Sequence, residues 1–266
     1  MKKYLFILLI ILVITISYIE VKSKTISQYK QISYYNPNNL NRYLSYQKKN
    51  KNLSKKEIIE KVNMNLDKEW YSNPQKAIYR NTDIILVNKH YYLEKDYIPK
   101  ELEQINPNNS IGNKKLVKAA KIAFEQLSEK AKEENLNIIA MSTYRSYSYQ
   151  KNLYDRYVKL DGIEKVDTYS ARPGYSEHQT GLAIDVCNNL LLYTEFEKTK
   201  EFEWMQKHAH EYGFILRFPK GKEEETGYQY EAWHYRYVGV KNATYIKNHN
   251  ITLENFIARK KPLIRG

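Results

Sequence analysis

The chain has 266 residues, which is enough for one catalytic-sized domain and an extension. Its 42% hydrophobic and 27% charged residues exclude wholesale disorder, and its 9 Gly and 7 Pro exclude collagen-like and proline-rich architectures. The formal charge of +13 indicates an anionic environment such as nucleic acid, lipid headgroups or a polyanionic cell wall.

The amino terminus has the pattern of an export signal. A basic MKK start precedes sixteen residues, 4–19, that lack charge, Gly and Pro. Such a start directs export and keeps the lysine end in the cytoplasm. The run is slightly shorter than the ~20 residues that span a bilayer comfortably. Because VKS at 21–23 is a poor cleavage site, the pattern favours a retained anchor over a cleaved signal peptide. We predict a membrane segment at 1–23 and an extracytoplasmic location, with secretion if the segment is removed.

Residues 24–81 are polar, rich in Tyr, Asn and Lys, and only patchily periodic. We predict a polar stalk that leads into a small N-terminal region. Ser54 and Glu57 have the spacing of a capping box, which predicts a short helix over 54–62.

From about residue 82 to residue 266 the sequence pattern predicts a mixture of short apolar strands and amphipathic helices. The predicted elements are a strand at 84–87, a helix at 113–134, a strand at 138–141, a helix at 146–160, a loop at 161–181, a strand at 182–187, a helix at 198–212 that stops at Gly213, strands at 214–216 and 235–238, and a closing helix capped by Thr252. Without βαβ alternation, this order predicts an α+β domain in which helices flank a small antiparallel sheet.

Two histidines have carboxylates at suggestive spacings. His178 lies on the predicted loop, and Asp185 follows seven residues later inside an apolar strand, where a carboxylate is costly unless it is paired or binds a cation. Glu231 and His234 lie three residues apart. Two His, one Asp and a water form a catalytic type of zinc set, and Glu231 remains unliganded to deprotonate that water. Alternatively, Asp185 pairs with a buried arginine and His234 is a hydrogen-bonded core histidine.

Arg145 stands directly after a predicted buried strand and before a helix. A guanidinium at a strand end can point into a cleft and bind a carboxylate or an oxyanion. The alternative is an ordinary exposed arginine.

Three blocks of sequence together resemble the VanY-type D-alanyl-D-alanine carboxypeptidases, which are zinc peptidases of bacterial cell walls related to the D-Ala-D-Ala dipeptidases and the hedgehog domain. The blocks are STYRS at 142–146 with Gln150, SARPGYSEHQTGLAIDV at 170–186, and EAWHYRYVG at 231–239. The resemblance covers roughly residues 84–239. Two positions depart from the family pattern, with Ala232 where proline is usual and Thr143 where glycine is usual.

The resemblance implies a role for each matching position. The zinc ligands are matched by His178, Asp185 and His234, and the general base by Glu231. Arg145 matches the arginine that stabilises the oxyanion. Gln150 and Ser176 match positions that hold the terminal D-residue of the substrate.

The implied activity is zinc-dependent release of the terminal D-alanine from peptidoglycan stem peptides. The alternatives of the same chemistry are an L,D-carboxypeptidase and a cell-wall endopeptidase, and the alternative of another class is a non-catalytic zinc-containing wall-binding module. Residues 24–266 retain a charge of +11, which favours contact with anionic wall polymers. Because no arginine-rich stripe or nucleic-acid motif accompanies the 26 Tyr, we expect no nucleic-acid partner.

Overall fold

The computed structural model describes residues 2–188 and 192–260. They form two compact units: one holds the residues up to Asp67 together with those from Ile257 onward, and the other is Lys68–Phe256. The predicted division at residues 81 and 82 remains a prediction.

The first unit contains three helices, α1 (Lys2–Lys30), α2 (Leu40–Lys49) and α3 (Lys55–Asn63). The predicted capping box is confirmed, because the Ser54 hydroxyl accepts from the Glu57 backbone N–H and the Glu57 carboxylate accepts from that of Ser54. The core of this first unit is formed by fully buried side chains, namely Tyr29, Tyr43, Ile58, Ile59 and Val62.

The helix α1 covers the predicted membrane segment. Across the part of the chain that the structure describes, no helix combines the length and the apolar character needed to cross a membrane. The predicted membrane segment is therefore not supported by the structure and remains a prediction.

The second unit contains eight strands among its described residues. They are β1 (Gln75–Lys76), β2 (Tyr91–Tyr92), β3 (Leu102–Gln104), β4 (Lys115–Val117), β5 (Ile139–Ser142), β6 (Ala183–Cys187), β7 (Phe214–Leu216) and β8 (His234–Tyr237). β1 pairs with β2 in parallel, and β3 pairs with β4 antiparallel. The remaining four form an antiparallel sheet in the order β5-β6-β8-β7. The predicted mixed helix-and-sheet class is confirmed.

The described residues after Lys68 also form seven α-helices. They are α4 (Lys118–Glu133), α5 (Tyr147–Asp161), α6 (Ile163–Tyr169), α7 (Lys200–His208), α8 (Glu223–Thr226), α9 (Val240–His249) and α10 (Leu253–Ala258). α4 buries one face, with Ala120, Phe124, Leu127 and Ala131 fully inaccessible. The ring of Phe124 meets the edge of Phe214 in β7 at 6.3 Å between centroids, which joins this helix to the sheet.

Side-chain alternation along β6 separates the core from the site. Ile184 and Val186 belong to the hydrophobic core. Asp185 lies between them and therefore points to the opposite face of the sheet. The sheet thus places a buried carboxylate on the face away from the core.

Two predicted elements are wrong. Residues 84–87 are not a strand, because the Arg236 guanidinium takes the carbonyls of Asp83 and Ile85 as acceptors and the Ile85 backbone N–H turns back to Thr82. The predicted loop at 161–181 contains α6 and a 3₁₀ turn at Glu177–Thr180. α6 has only seven residues and buries only Val166, so the apolar signal that its sequence offers is short.

Candidate active site

His178, Asp185 and His234 come together as the sequence predicts. The register of the sheet pairs Asp185 in β6 directly with His234 at the start of β8. Nδ1 of His234 lies 2.9 Å from Oδ1 of Asp185, and Nε2 of His178 lies 3.3 Å from Oδ2 of the same carboxylate. The ligand atoms of the three side chains all lie within 4.8 Å of one another, and all three residues are buried.

The donor set fits a zinc ion. The backbone carbonyl of Thr143 can only accept, so Nδ1 of His178 donates to it across 2.7 Å and Nε2 keeps its lone pair. Burial and the Arg145 guanidinium lower the pKa of His178 to about 4, so the ring is neutral at pH 7. Burial would raise the pKa of Asp185, but His178 and Arg145 hold it well below its usual range. Two imidazoles and one carboxylate leave a tetrahedral position open, as in catalytic zinc sites.

A buried network of ion pairs lies on the Nε2 side of the His234 ring. Oε1 of Glu177 accepts from Arg217 and Arg236, each at 2.8 Å, and Arg217 also binds the Glu254 carboxylate. Oε2 of Glu177 lies 3.7 Å from Nε2 of His234. Burial lowers the pKa of His234, but the nearby carboxylates of Asp185 and Glu177 outweigh this effect and raise the pKa to about 9.

Sequence reasoning missed this network. The available signal was Arg236, which lies inside an apolar strand and therefore needs a buried acceptor. Glu177 precedes the predicted ligand His178 in the motif block at 170–186 and offered such a carboxylate.

Glu231 is close to the three ligands but does not belong to their cluster. Its Oε2 lies 3.7 Å from Nδ1 of His234, and no side-chain hydrogen bond within the described residues engages its carboxylate. Burial raises the pKa of Glu231 to about 8, against the lowering effect of His234. A carboxylate of this kind is able to exchange a proton near neutral pH.

Arg145 follows β5 and points at the same cluster. Its Nη2 donates to Oδ2 of Asp185 across 2.6 Å, and its Nε donates to the Ser142 hydroxyl across 2.9 Å. Asp185 therefore pairs with an arginine and also belongs to the possible metal site, so both interpretations of this carboxylate hold together. Nη1 of Arg145 has no hydrogen-bond partner among the described residues.

Gln150 and Ser176 are buried in the wall of the same cleft. Nε2 of Gln150 donates to the Ala171 carbonyl across 2.8 Å. Its Oε1 is buried without a hydrogen-bond partner in the described part of the chain and is therefore an acceptor that a ligand can satisfy.

The cleft has a volume of about 620 Å³ and all seven predicted site residues line it. Aromatic side chains form much of its wall, and the ring of Tyr193 meets the edge of Trp233 at 4.9 Å. A buried His–Asp–His group beside a carboxylate, open to a cleft of this size, is the arrangement of a metal-dependent hydrolase.

Comparison with known proteins identifies the family. The family described as VanY, D-alanyl-D-alanine carboxypeptidase, matches residues 113–240. The D-alanyl-D-alanine carboxypeptidase of Enterococcus faecium is 32% identical over 266 residues, which cover 97% of this chain and 79% of that protein. The chain belongs to the VanY family of D-alanyl-D-alanine carboxypeptidases, as the three motif blocks predict.

Solved structures agree with this membership. The LdcB LD-carboxypeptidase is 41% identical with a TM-score of 0.62, over 66% of this chain and 86% of that chain. A vancomycin resistance D,D-pentapeptidase VanY in complex with Zn(II) is 29% identical with a TM-score of 0.57, over 66% of this chain and 98% of that chain.

Proposed function

We propose that this protein is a zinc-dependent carboxypeptidase that removes the terminal D-alanine from peptidoglycan stem peptides. The observation that carries the proposal is the buried group of His178, Asp185 and His234 with the Glu231 carboxylate beside it. Membership of the VanY family supplies the substrate class.

The three clustered side chains would hold the metal. His178 would offer Nε2, because its Nδ1 is committed to Thr143, and Asp185 would offer a carboxylate oxygen. A zinc ion bound there would act as a Lewis acid that polarises a carbonyl group and lowers the pKa of a water molecule.

Glu231 acts as the general base and acid. Its carboxylate takes the proton from the attacking water and later passes that proton to the leaving amine of D-alanine. A cation among the neighbouring ligands favours the ionised form of Glu231, because an opposite charge nearby lowers the pKa of a carboxyl group. A non-catalytic module has no use for this carboxylate, so its presence favours turnover over simple binding.

Arg145 and the cleft wall position the substrate. Nη1 of Arg145 is available to the carbonyl oxygen on which negative charge develops. Oε1 of Gln150 accepts from a substrate N–H, and the Ser176 hydroxyl donates to the carboxylate of the terminal residue.

A second candidate is an L,D-carboxypeptidase that trims tetrapeptides. It is favoured by one observation, because the LdcB LD-carboxypeptidase is 41% identical to this chain whereas the zinc-bound VanY structure is 29% identical. The two activities share the metal ligands and the base, and they differ in the configuration of the residue before the scissile bond.

We also propose that the protein works outside the cytoplasm, as an anchored or secreted enzyme. The MKK start with its uncharged run and the wall location of the substrate support this proposal. A C-terminal reporter that is active only outside the cytoplasm should report export, and a silent reporter would contradict it. Carbonate-resistant sedimentation of the chain would support the anchored form.

The positive exterior supports contact with anionic wall polymers. Retention on purified wall material should fall as salt is added, because salt screens exposed charges. Salt-independent retention would contradict an electrostatic attachment.

The zinc assignment is tested by metal removal. Chelation should abolish D-alanine release from a pentapeptide ending in D-Ala-D-Ala, and one equivalent of zinc should restore it. Full activity in the chelated protein would contradict the proposal.

A further inference from the structure

The helix α5 gives the cleft one long wall. Seven residues of α5 line it, and their steps of one or three residues place them on a single helix face. They are Tyr149, Gln150, Leu153, Arg156, Tyr157, Leu160 and Asp161. Twelve helical steps extend about 18 Å, which is the length of about five residues of extended peptide.

The two ends of this wall differ. Arg145, just before α5, contacts Asp185 and donates its backbone N–H to the His178 carbonyl, so the N-terminal end of α5 lies at the metal ligands. The residues from Arg156 to Asp161 therefore line the part of the cleft that is remote from the ligands. On the proposed function, this part receives the substrate upstream of its terminal residue.

Arg156 is the exposed cation of this remote part. Its guanidinium lies 5.7 Å from the centroid of the Tyr157 ring, and within the described residues it forms no ion pair. The acidic residue on the same face, Asp161, is already engaged, because it accepts from Lys165 at 2.9 Å and from the Tyr169 hydroxyl at 2.6 Å. An arginine whose guanidinium lies beside an aromatic ring and forms no ion pair is suited to bidentate binding of a carboxylate.

The spacing along α5 locates that carboxylate in the substrate. Arg156 follows Gln150 by six residues, a rise of about 9 Å. An extended peptide covers this distance in two or three residues at about 3.4 Å each. We propose that Arg156 binds a carboxylate that the substrate carries two or three residues before its terminal residue, so that acidic stem peptides are preferred. This inference rests on the proposed carboxypeptidase function.

Paired peptides test the inference on the full zinc-loaded chain. Two stem pentapeptides that end in D-Ala-D-Ala differ only in the second residue, which lies three residues before the terminal residue and is glutamyl with a free carboxylate or its amide. We expect kcat/KM to favour the acidic peptide by about tenfold, mainly through KM, since one charged hydrogen-bonded contact is lost in the amide. Arg156→Gln should abolish this preference by raising KM for the acidic peptide to that of the amide peptide.

Lys159→Gln is the matched control. Lys159 is an exposed cation of the same helix that does not line the cleft. Its removal should leave the preference intact, and an equal loss in Lys159→Gln would overturn the inference by showing a general field effect. A wild type that hydrolyses both peptides equally would also overturn it, while the proposed function would stand.

Two further arms complete the design. A pair of pentapeptides with a diaminopimelyl or lysyl third residue tests the neighbouring position, which lies two residues before the terminal residue, and a preference at neither position would overturn the assigned spacing. Calorimetric titration of the acid and amide peptides into zinc-loaded Glu231→Gln gives a readout independent of turnover. Absence of hydrolysis with zinc bound would contradict the proposed function, and equal binding of both peptides would separately overturn the role of Arg156.

Discussion

Glu177 faces His234 through an oxygen that has no hydrogen-bond partner among the described residues, and Nε2 of His234 is likewise unpartnered there. The two atoms are 3.7 Å apart in a fully buried setting. A carboxylate that accepts the second N–H of a ligating imidazole fixes the tautomer and the ring orientation and raises the basicity of the ligand. Glu177 is therefore a positioning residue for the metal site.

Glu177→Gln tests this role. We expect zinc affinity to fall about 10- to 100-fold, because the charge that orients His234 is lost. Competition with a chromophoric chelator measures this affinity directly. Glu254→Gln is the control, since Glu254 joins the same network through Arg217 without contacting His234. An equal loss of affinity in both variants would show a purely structural effect.

The proposed base is tested with Glu231→Gln. We expect kcat to fall about 10²- to 10⁴-fold while zinc stays bound, because Glu231 lies outside the ligand group. His178→Ala should lose both zinc and activity. Turnover near the wild-type rate in Glu231→Gln would reject the assignment of this base.

The motifs were sufficient to predict the group of His178, Asp185 and His234 that the structure brings together, but not the ion network beside it. His178 and Asp185 lie seven residues apart, and His234 stands beside an obvious carboxylate. The partners of Glu177, Arg217 and Arg236, lie far along the chain, and the pairing of β8 with β6 and β7 brings them together. Such pairings depend on tertiary structure, so spacing alone does not reveal them.

At the scale of elements, periodic segments were predictable and irregular ones were not. α5 has a capping signal and lies close to its predicted range. α4 ends close to its predicted end but begins five residues late, because Lys115–Val117 form the strand β4 and not the first turn of the helix. Residues 84–87 have strand composition, but the distant Arg236 guanidinium takes the carbonyl of Ile85, and that of the preceding Asp83, as acceptors. α6 buries the side chain of one residue, Val166, and a sequence with one buried apolar residue does not differ in pattern from that of a loop.

The N-cap of α5 gives a prediction at this scale. The Ser146 hydroxyl accepts from the Tyr149 backbone N–H at 3.2 Å, in the first turn of the helix that lines the cleft. Ser146→Ala should lower the free energy of unfolding by about 1 kcal/mol, measured by denaturant titration. Ser146→Thr should retain most of the stability, since threonine also caps. Equal losses in both variants would contradict capping as the cause.

At the scale of the whole molecule, one buried cation links stability to pH. Lys89 is 5% exposed, and its ammonium lies between 4.7 and 5.7 Å from the ring centroids of Trp70, Tyr71 and Tyr228. Burial lowers the pKa of Lys89 to about 8, against the raising effect of Asp167. Between pH 8 and 10.5 the unfolded chain holds this proton and the folded chain releases it, so this group makes stability rise with pH across that window.

Lys89→Met should remove this dependence. Relative to the variant, the wild type should gain up to about 3 kcal/mol in free energy of unfolding as the pH rises from about 8 to 10.5. Denaturant unfolding of both proteins across this range measures the difference, and other titrating groups cancel in the comparison. Parallel pH profiles would show that the aromatic rings hold the ammonium charged in the folded protein.

The measurement that tests the central claim most directly is D-alanine release by the zinc-loaded chain. A pentapeptide ending in D-Ala-D-Ala and the corresponding tetrapeptide are offered side by side, with Glu231→Ala as the control. We predict release from the pentapeptide that disappears in the control, and release from the tetrapeptide alone would move the assignment to the L,D type. No D-alanine from either peptide, with zinc bound, would contradict the carboxypeptidase function.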